Sequence, residues 1–156
     1  MTRHAPRLVL LAVVAAAACR TDRGGSLRAQ WAAADTVVGT GTIAAPASLR
    51  WCATRGRLTL LGFSGDTGVG ILVRMVSLAP GLFTVGDTVT RRSPGAVVAL
   101  RVTRGGNLFV LSSDSGLVAL TSVQGNRASG RFMSWFARPG AGPVLLSGSF
   151  QDVVAV

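Results

Sequence analysis

The stretch from Arg57 to Met75 reads RLTLLGFSGDTGVGILVRM. Two apolar runs flank the polar break Gly65-Asp66-Thr67-Gly68. In the second run Val69, Ile71, Val73 and Met75 share one face, and Gly70, Leu72 and Arg74 share the other. A period of two is that of a half-buried strand. In the break, Asp accepts bonds from nearby backbone and Gly reaches positive φ, which is the chemistry of a hairpin tip. The stretch therefore predicts strand, tight turn, strand.

The same alternation of run and break recurs along the chain. Runs rich in Val, Leu, Phe and Thr come every 8 to 12 residues, separated by RGR, APG, SPG, RGGN, SDSG, QGN and RPGAGP. That spacing predicts strands near 36–43, 48–54, 57–64, 69–76, 82–85, 88–91, 96–102, 108–112, 117–123, 127–137 and 144–153. No segment past residue 36 holds a helical period. The fold expected is all-β, a single small antiparallel β-barrel or β-sandwich built as a meander of hairpins. Runs such as AVVAL and LFVL are apolar on both faces and suit strands covered on two sides or a pocket lining. From Arg127 the faces alternate cleanly; around Met133 to Phe136 they blur, as at a bulge or strand end.

One echo predicts a register. Ser129-Gly130-Arg131-Phe132 and Ser147-Gly148-Ser149-Phe150 are both S-G-x-F, with the turn-rich RPGAGP between them. A hairpin pivoting near Gly140 places Phe132 opposite Gly148 and Gly130 opposite Phe150. Each ring then covers a bare glycine backbone across the ladder.

The N-terminus organises the rest. A basic leader, Met1 to Arg7, precedes the uncharged run LVLLAVVAAAA, which ends at Ala16-Ala17-Ala18-Cys19. A spanning helix needs about 20 apolar residues, and this run has the length of a signal-peptide core. It resembles a bacterial lipoprotein signal, with cleavage before Cys19 and acylation of its thiol; ordinary cleavage after the alanines is the rival reading. The resemblance implies a signal peptide over 1–18, lipidation at Cys19 and a location in the bacterial cell envelope, anchored by lipid (the outer membrane in a Gram-negative organism). Residues 19–35, with RTDRGGSLRAQWAAAD after the cysteine, mix charge, Gly-Gly and small residues and read as a flexible tether. A short helix around LRAQWAAAD is the alternative there. The β domain then spans 36–156. Its later part, with GLFTVGDTV, SSDSGLVALTS, ASGRFMSWF and VLLSGSF, resembles uncharacterised β-rich envelope lipoproteins over residues 80 to 152. That resemblance implies a fold and no activity.

Composition narrows the chemistry. The 16 basic residues are all arginine and the six acidic residues all aspartate; the single histidine, His4, lies in the leader. Without Arg3 and Arg7, fourteen arginines stand against six aspartates, a formal +8. Such a surface favours anionic lipid or glycan. The arginines are scattered and carry no nucleic-acid motif, so no nucleic-acid partner is expected. Without a histidine in the processed chain, Ser-His-Asp and Cys-His sites are excluded. Cys52 with aspartates is poor ligation for zinc, and the aspartate loops lack calcium spacing. No metal and no cofactor is expected. Cys52 itself reads as a buried, inert thiol.

Asp66-Thr67-Gly68 and Asp114-Ser115-Gly116 match the local motif of aspartic proteases, whose two carboxylates share a proton. Here each aspartate follows a polar residue, Gly65 or Ser113, and not an apolar strand. Both read as turns. GDTGVG as a phosphate loop lacks the lysine and the following helix. Two aromatic–guanidinium pairs, Arg50-Trp51 and Trp135 with Arg138, are the candidate binding residues, a rim for lipid or glycan. The function expected is a non-enzymatic envelope lipoprotein, a binding or structural module. The alternative is a calycin-like carrier of a small apolar ligand.

Overall fold

The computed structural model describes residues 24–87 and 94–155. The leader, Cys19 and the strand expected near 88–91 lie outside the described residues. Among those described, ten strands form one sheet: β1 (Ser26–Ala33), β2 (Thr40–Cys52), β3 (Arg57–Ser64), β4 (Thr67–Arg74), β5 (Gly81–Val85), β6 (Gly95–Arg104), β7 (Asn107–Ser112), β8 (Ser115–Gln124), β9 (Arg127–Arg138) and β10 (Ala141–Val154). The helical structure among them is a three-residue 3-10 turn, Ala53–Arg55.

The Arg57–Met75 stretch is the hairpin its pattern implies. Ser64 pairs with Thr67, and Gly65 takes φ +57° at the tip. Val69, Ile71, Val73 and Met75 are all buried.

The pairings close the sheet into a ring. Its order is β4-β3-β2-β1-β10-β9-β8-β5-β6-β7, and β4 also pairs with β6. Most neighbours are consecutive antiparallel strands, as in a meander. The short strand β5 departs from it: β4 pairs past it with β6, and β5 pairs antiparallel with β8. Between β5 and β6 the sheet holds one parallel pair, Val85 with Ala96.

That seam is completed by a side chain. Ser113, fully buried between β7 and β8, donates its N–H to the Val98 carbonyl at 2.9 Å. Its Oγ accepts from the Val98 N–H at 2.9 Å and donates to the Gly86 carbonyl at 3.1 Å. Buried backbone groups must be paired, and one hydroxyl here links the end of β5 to β6 just beyond their single pair.

Inside the ring, one continuous apolar cluster includes Leu27, Leu49, Leu100, Phe136, Leu146 and Phe150, each 2% exposed or less. The register predicted from the S-G-x-F echo is present: Phe132 pairs with Gly148 and Phe150 with Gly130. A Cβ on Gly148 would lie 2.7 Å from Phe132 Cζ, and one on Gly130 2.6 Å from Phe150 Cζ. Trp31 over Gly41 and Phe63 over Gly68 repeat the device elsewhere in the ring.

Three sequence expectations are corrected. Residues 26–33, read as tether or short helix, form β1 between β10 and β2. Leu27, Ala29 and Trp31 point inward and Arg28 and Gln30 outward; this period of two was masked by the adjoining charged and Gly-Gly residues. The β domain therefore begins by Ser26 and not at Thr36. The strands expected at 36–43 and 48–54 are a single strand, β2. Pro46, in the gap between those two expected strands, sits where β2 stops pairing with β1 and starts pairing with β3 at Ala47. Strand prolines are tolerated where a ladder donor is not required. Finally, β9 does not end or bulge at 133–136. It alternates through Phe136, and the pattern blurred because the inward residue Ser134 is polar, its Oγ donating to the Ser115 carbonyl at 3.1 Å. The irregularities lie in β8, between Leu120 and Ser122, and in β10.

Candidate functional site

The outer face of β10 carries a trough. Its outward residues there are short, Ser147 and Ser149, around the bare backbone of Gly148. The flanking strands carry longer side chains. Register places Ser149 opposite Arg28 of β1 on one side and opposite Arg131 of β9 on the other. Both arginines are exposed. With strands about 4.8 Å apart, their Cα atoms stand about 10 Å from each other across β10. The next outward row sets Met133, Ser147, Gln30 and Thr42 in register.

Of these, Arg28, Gln30, Thr42, Arg131, Ser147 and Ser149 line a depression of about 550 Å³ that is open to solvent. It holds two guanidinium groups, the Gln30 amide and three hydroxyls, those of Thr42, Ser147 and Ser149, and no carboxylate. Among the described residues the ion pairs are Arg101 with Asp66 and Arg138 with Asp35, so neither Arg28 nor Arg131 is neutralised by one. Guanidinium forks beside hydroxyl and amide groups suit a phosphate, sulfate or carboxylate group.

The trough continues in two directions. Arg131, Ser147 and Gly148 also line a depression of about 410 Å³ with Leu82, Leu117, Ala119 and Met133. Gln30, Thr42 and Ser147 line another, of about 400 Å³, with Ala32, Gly41 and Leu145. All three lie on the outer face and not inside the ring. Leu82, Leu117, Met133 and Trp135 are 74%, 47%, 45% and 42% exposed and form an apolar strip over β5, β8 and β9. Large side chains left this exposed in adjacent positions on three strands are a binding feature more often than isolated ones are.

The sequence-derived candidates are spread over the molecule. Trp135 belongs to the apolar strip. Arg138, at the end of β9, is partly buried and ion-paired with Asp35. Asp35 Oδ1 also accepts from the N–H groups of Val37 at 2.8 Å and Val38 at 3.2 Å. Burial pushes the Asp35 carboxyl up, but those two N–H groups and the charge and hydrogen bond of Arg138 outweigh it and hold it below its ordinary value. Arg138 thus closes the β1–β2 loop onto β9. Arg50 and Trp51 sit near the end of β2, paired with Thr59 and Leu58. The row of Trp135 leads through Leu145 and Ala32 to Thr40, at the start of β2. Ten residues of strand, about 33 Å of contour, separate the two pairs. The structure does not bring them together.

The aspartates of the protease-like motifs go separate ways. Asp66 is at the β3–β4 tip, 3.9 Å from Arg101 and largely exposed. Asp114 accepts from the Ala137 N–H and donates its own N–H to Trp135, taking the place of a strand neighbour for β9. Two residues on, Gly116 has φ +141°, and a Cβ there would lie 2.1 Å from the Met133 carbonyl. Among the described residues, no group of three or more His, Cys, Asp or Glu could hold a metal. Cys52 is half-buried at the end of β2 and not enclosed in the core. The Thr54 hydroxyl, 3.4 Å from its Sγ, the Arg55 N–H and the charges of Arg55 and Arg57 draw its thiol below the usual range against partial burial.

Arg28 and Arg131 were not candidates from sequence. Arg28 fell in a segment read as tether, and the pair exists only through the β1–β10–β9 register. The usable signal was the alternation of Leu27, Ala29 and Trp31. No family model, curated protein or solved structure matches the chain.

Proposed function

We propose that the protein is a non-enzymatic envelope lipoprotein whose barrel is a binding module for an anionic group. The observation that carries the reading is the trough: Arg28 and Arg131 flank Ser149 from the two strands beside β10, with no carboxylate among the lining residues. The separated aspartates and the absence of histidine past residue 4 support a binding role over catalysis. The leader and the small residues before Cys19 support anchorage by lipid.

Two measurements test this. Calorimetric titration of the protein with inorganic phosphate is expected to show saturable binding that Arg28→Ala and Arg131→Ala each weaken. Binding unchanged in both variants refutes the site. Acyl labelling in cells is expected for the natural chain and not for Cys19→Ala; labelling that persists refutes the anchor.

A further inference from the structure

We infer that the trough and the apolar strip together form a membrane-docking face whose ligand is the anionic headgroup layer of a lipid bilayer. This rests on the reading of the trough as an anion site. Arg131 lines both the polar depression and the apolar one, so a bound phosphate and an inserted hydrocarbon surface would be adjacent. Leu82, Leu117 and Met133 lie beside it, and Trp135 extends the strip. Apolar side chains reaching below the headgroups with arginines at phosphate level is the arrangement of interfacial binding, and Trp favours that depth.

The chain itself brings this face to a bilayer. Cys19 is seven residues before Ser26, a link of at most about 25 Å when extended. Arg28 is the third residue of β1. An acylated Cys19 therefore holds the trough close to the headgroups. The lipid supplies attachment, and the docking face would set which side of the barrel meets the bilayer. A second copy of the chain is the poorer occupant, because two-fold pairing of this face would set arginines against arginines.

The test uses the processed chain, residues 19–156 with Cys19→Ser, so that neither the apolar leader nor an acyl group inserts. It is sedimented with vesicles of phosphatidylcholine alone and of equal parts phosphatidylcholine and phosphatidylglycerol, and titrated separately with inorganic phosphate. Sedimentation with the anionic vesicles only is expected. Arg28→Ala and Arg131→Ala should each lower partitioning about fivefold. Leu117→Ser should lower partitioning and leave phosphate binding intact. All three positions are exposed, and circular dichroism of each variant should match the parent. Equal sedimentation with both vesicle types overturns the inference, as does loss caused by Arg50→Ala and not by Arg28→Ala. Phosphate binding without vesicle binding overturns the membrane face and leaves the anion site standing. Absence of both overturns the site as well.

Discussion

Replacing Gly148 by alanine tests the feature that ties sequence to register. The new methyl would lie 2.4 Å from the Arg28 carbonyl oxygen, 2.7 Å from Phe132 Cζ and 2.8 Å from Ala29 Cβ. The first and third belong to β1, which is held to β10 along eight paired positions. Phe132 is 4% exposed and enclosed by the core, so its ring has little room to swing. Overpacking of this kind costs about 1–3 kcal/mol, and two contacts that cannot rotate away place it near the top of that range. Alanine also restricts the unfolded chain, which offsets about 0.4–1 kcal/mol. A net loss of about 2 kcal/mol follows, a large share of the ~5–15 kcal/mol typical of a domain. In urea unfolding, with a slope of about 1–3 kcal/mol per molar, the midpoint should fall by roughly 1 M at unchanged slope. Ser147→Ala, one residue away and facing outward, should stay within about 0.5 kcal/mol. Phe132→Leu removes the ring's end, so its cost and that of Gly148→Ala should sum to more than the double variant loses. A neutral Gly148→Ala, or strict additivity with Phe132→Leu, would refute ring-over-glycine packing.

Ser113→Ala should cost about 2–4 kcal/mol, because the Val98 N–H and the Gly86 carbonyl each lose a partner at about 1–3 kcal/mol. Hydrogen exchange at the Val98 amide should accelerate; unchanged exchange there would show that the seam closes without the hydroxyl. Asp35 adds an acid dependence of definite sign. Its carboxyl is held below 3.8 in the folded protein, so its contribution to stability is present above that pH and fades as pH falls through the lowered value. Denaturation midpoints of the natural chain and Asp35→Asn should therefore converge on acidification in that window. A gap that widens as pH falls would contradict the assignment.

Hairpins were legible in the sequence wherever neighbouring residues decide them. Gly65 and Asp66 between two alternating runs specify a turn without outside help. The two S-G-x-F segments specify a register, because only glycine leaves space under a facing ring. The same local logic misread β1, whose inward Leu27, Ala29 and Trp31 stand among arginines and small residues that resemble a linker. It also split β2 between 43 and 48, where the missing donor of Pro46 matters only once the partners of β2 are known.

What the sequence by itself determined is the all-β class, most of the strands and most of their turns, since alternation and turn residues are properties of adjacent positions. Partner choice came from the tertiary structure: β4 passes over β5 to reach β6, β1 joins β10 to complete the ring, and Ser113 binds a seam that no local pattern announces. The trough belongs to this second class. Arg28 and Arg131 are 103 positions apart in the chain, and they face each other across Ser149 because hydrogen bonding between strands, not sequence proximity, sets which side chains share a surface.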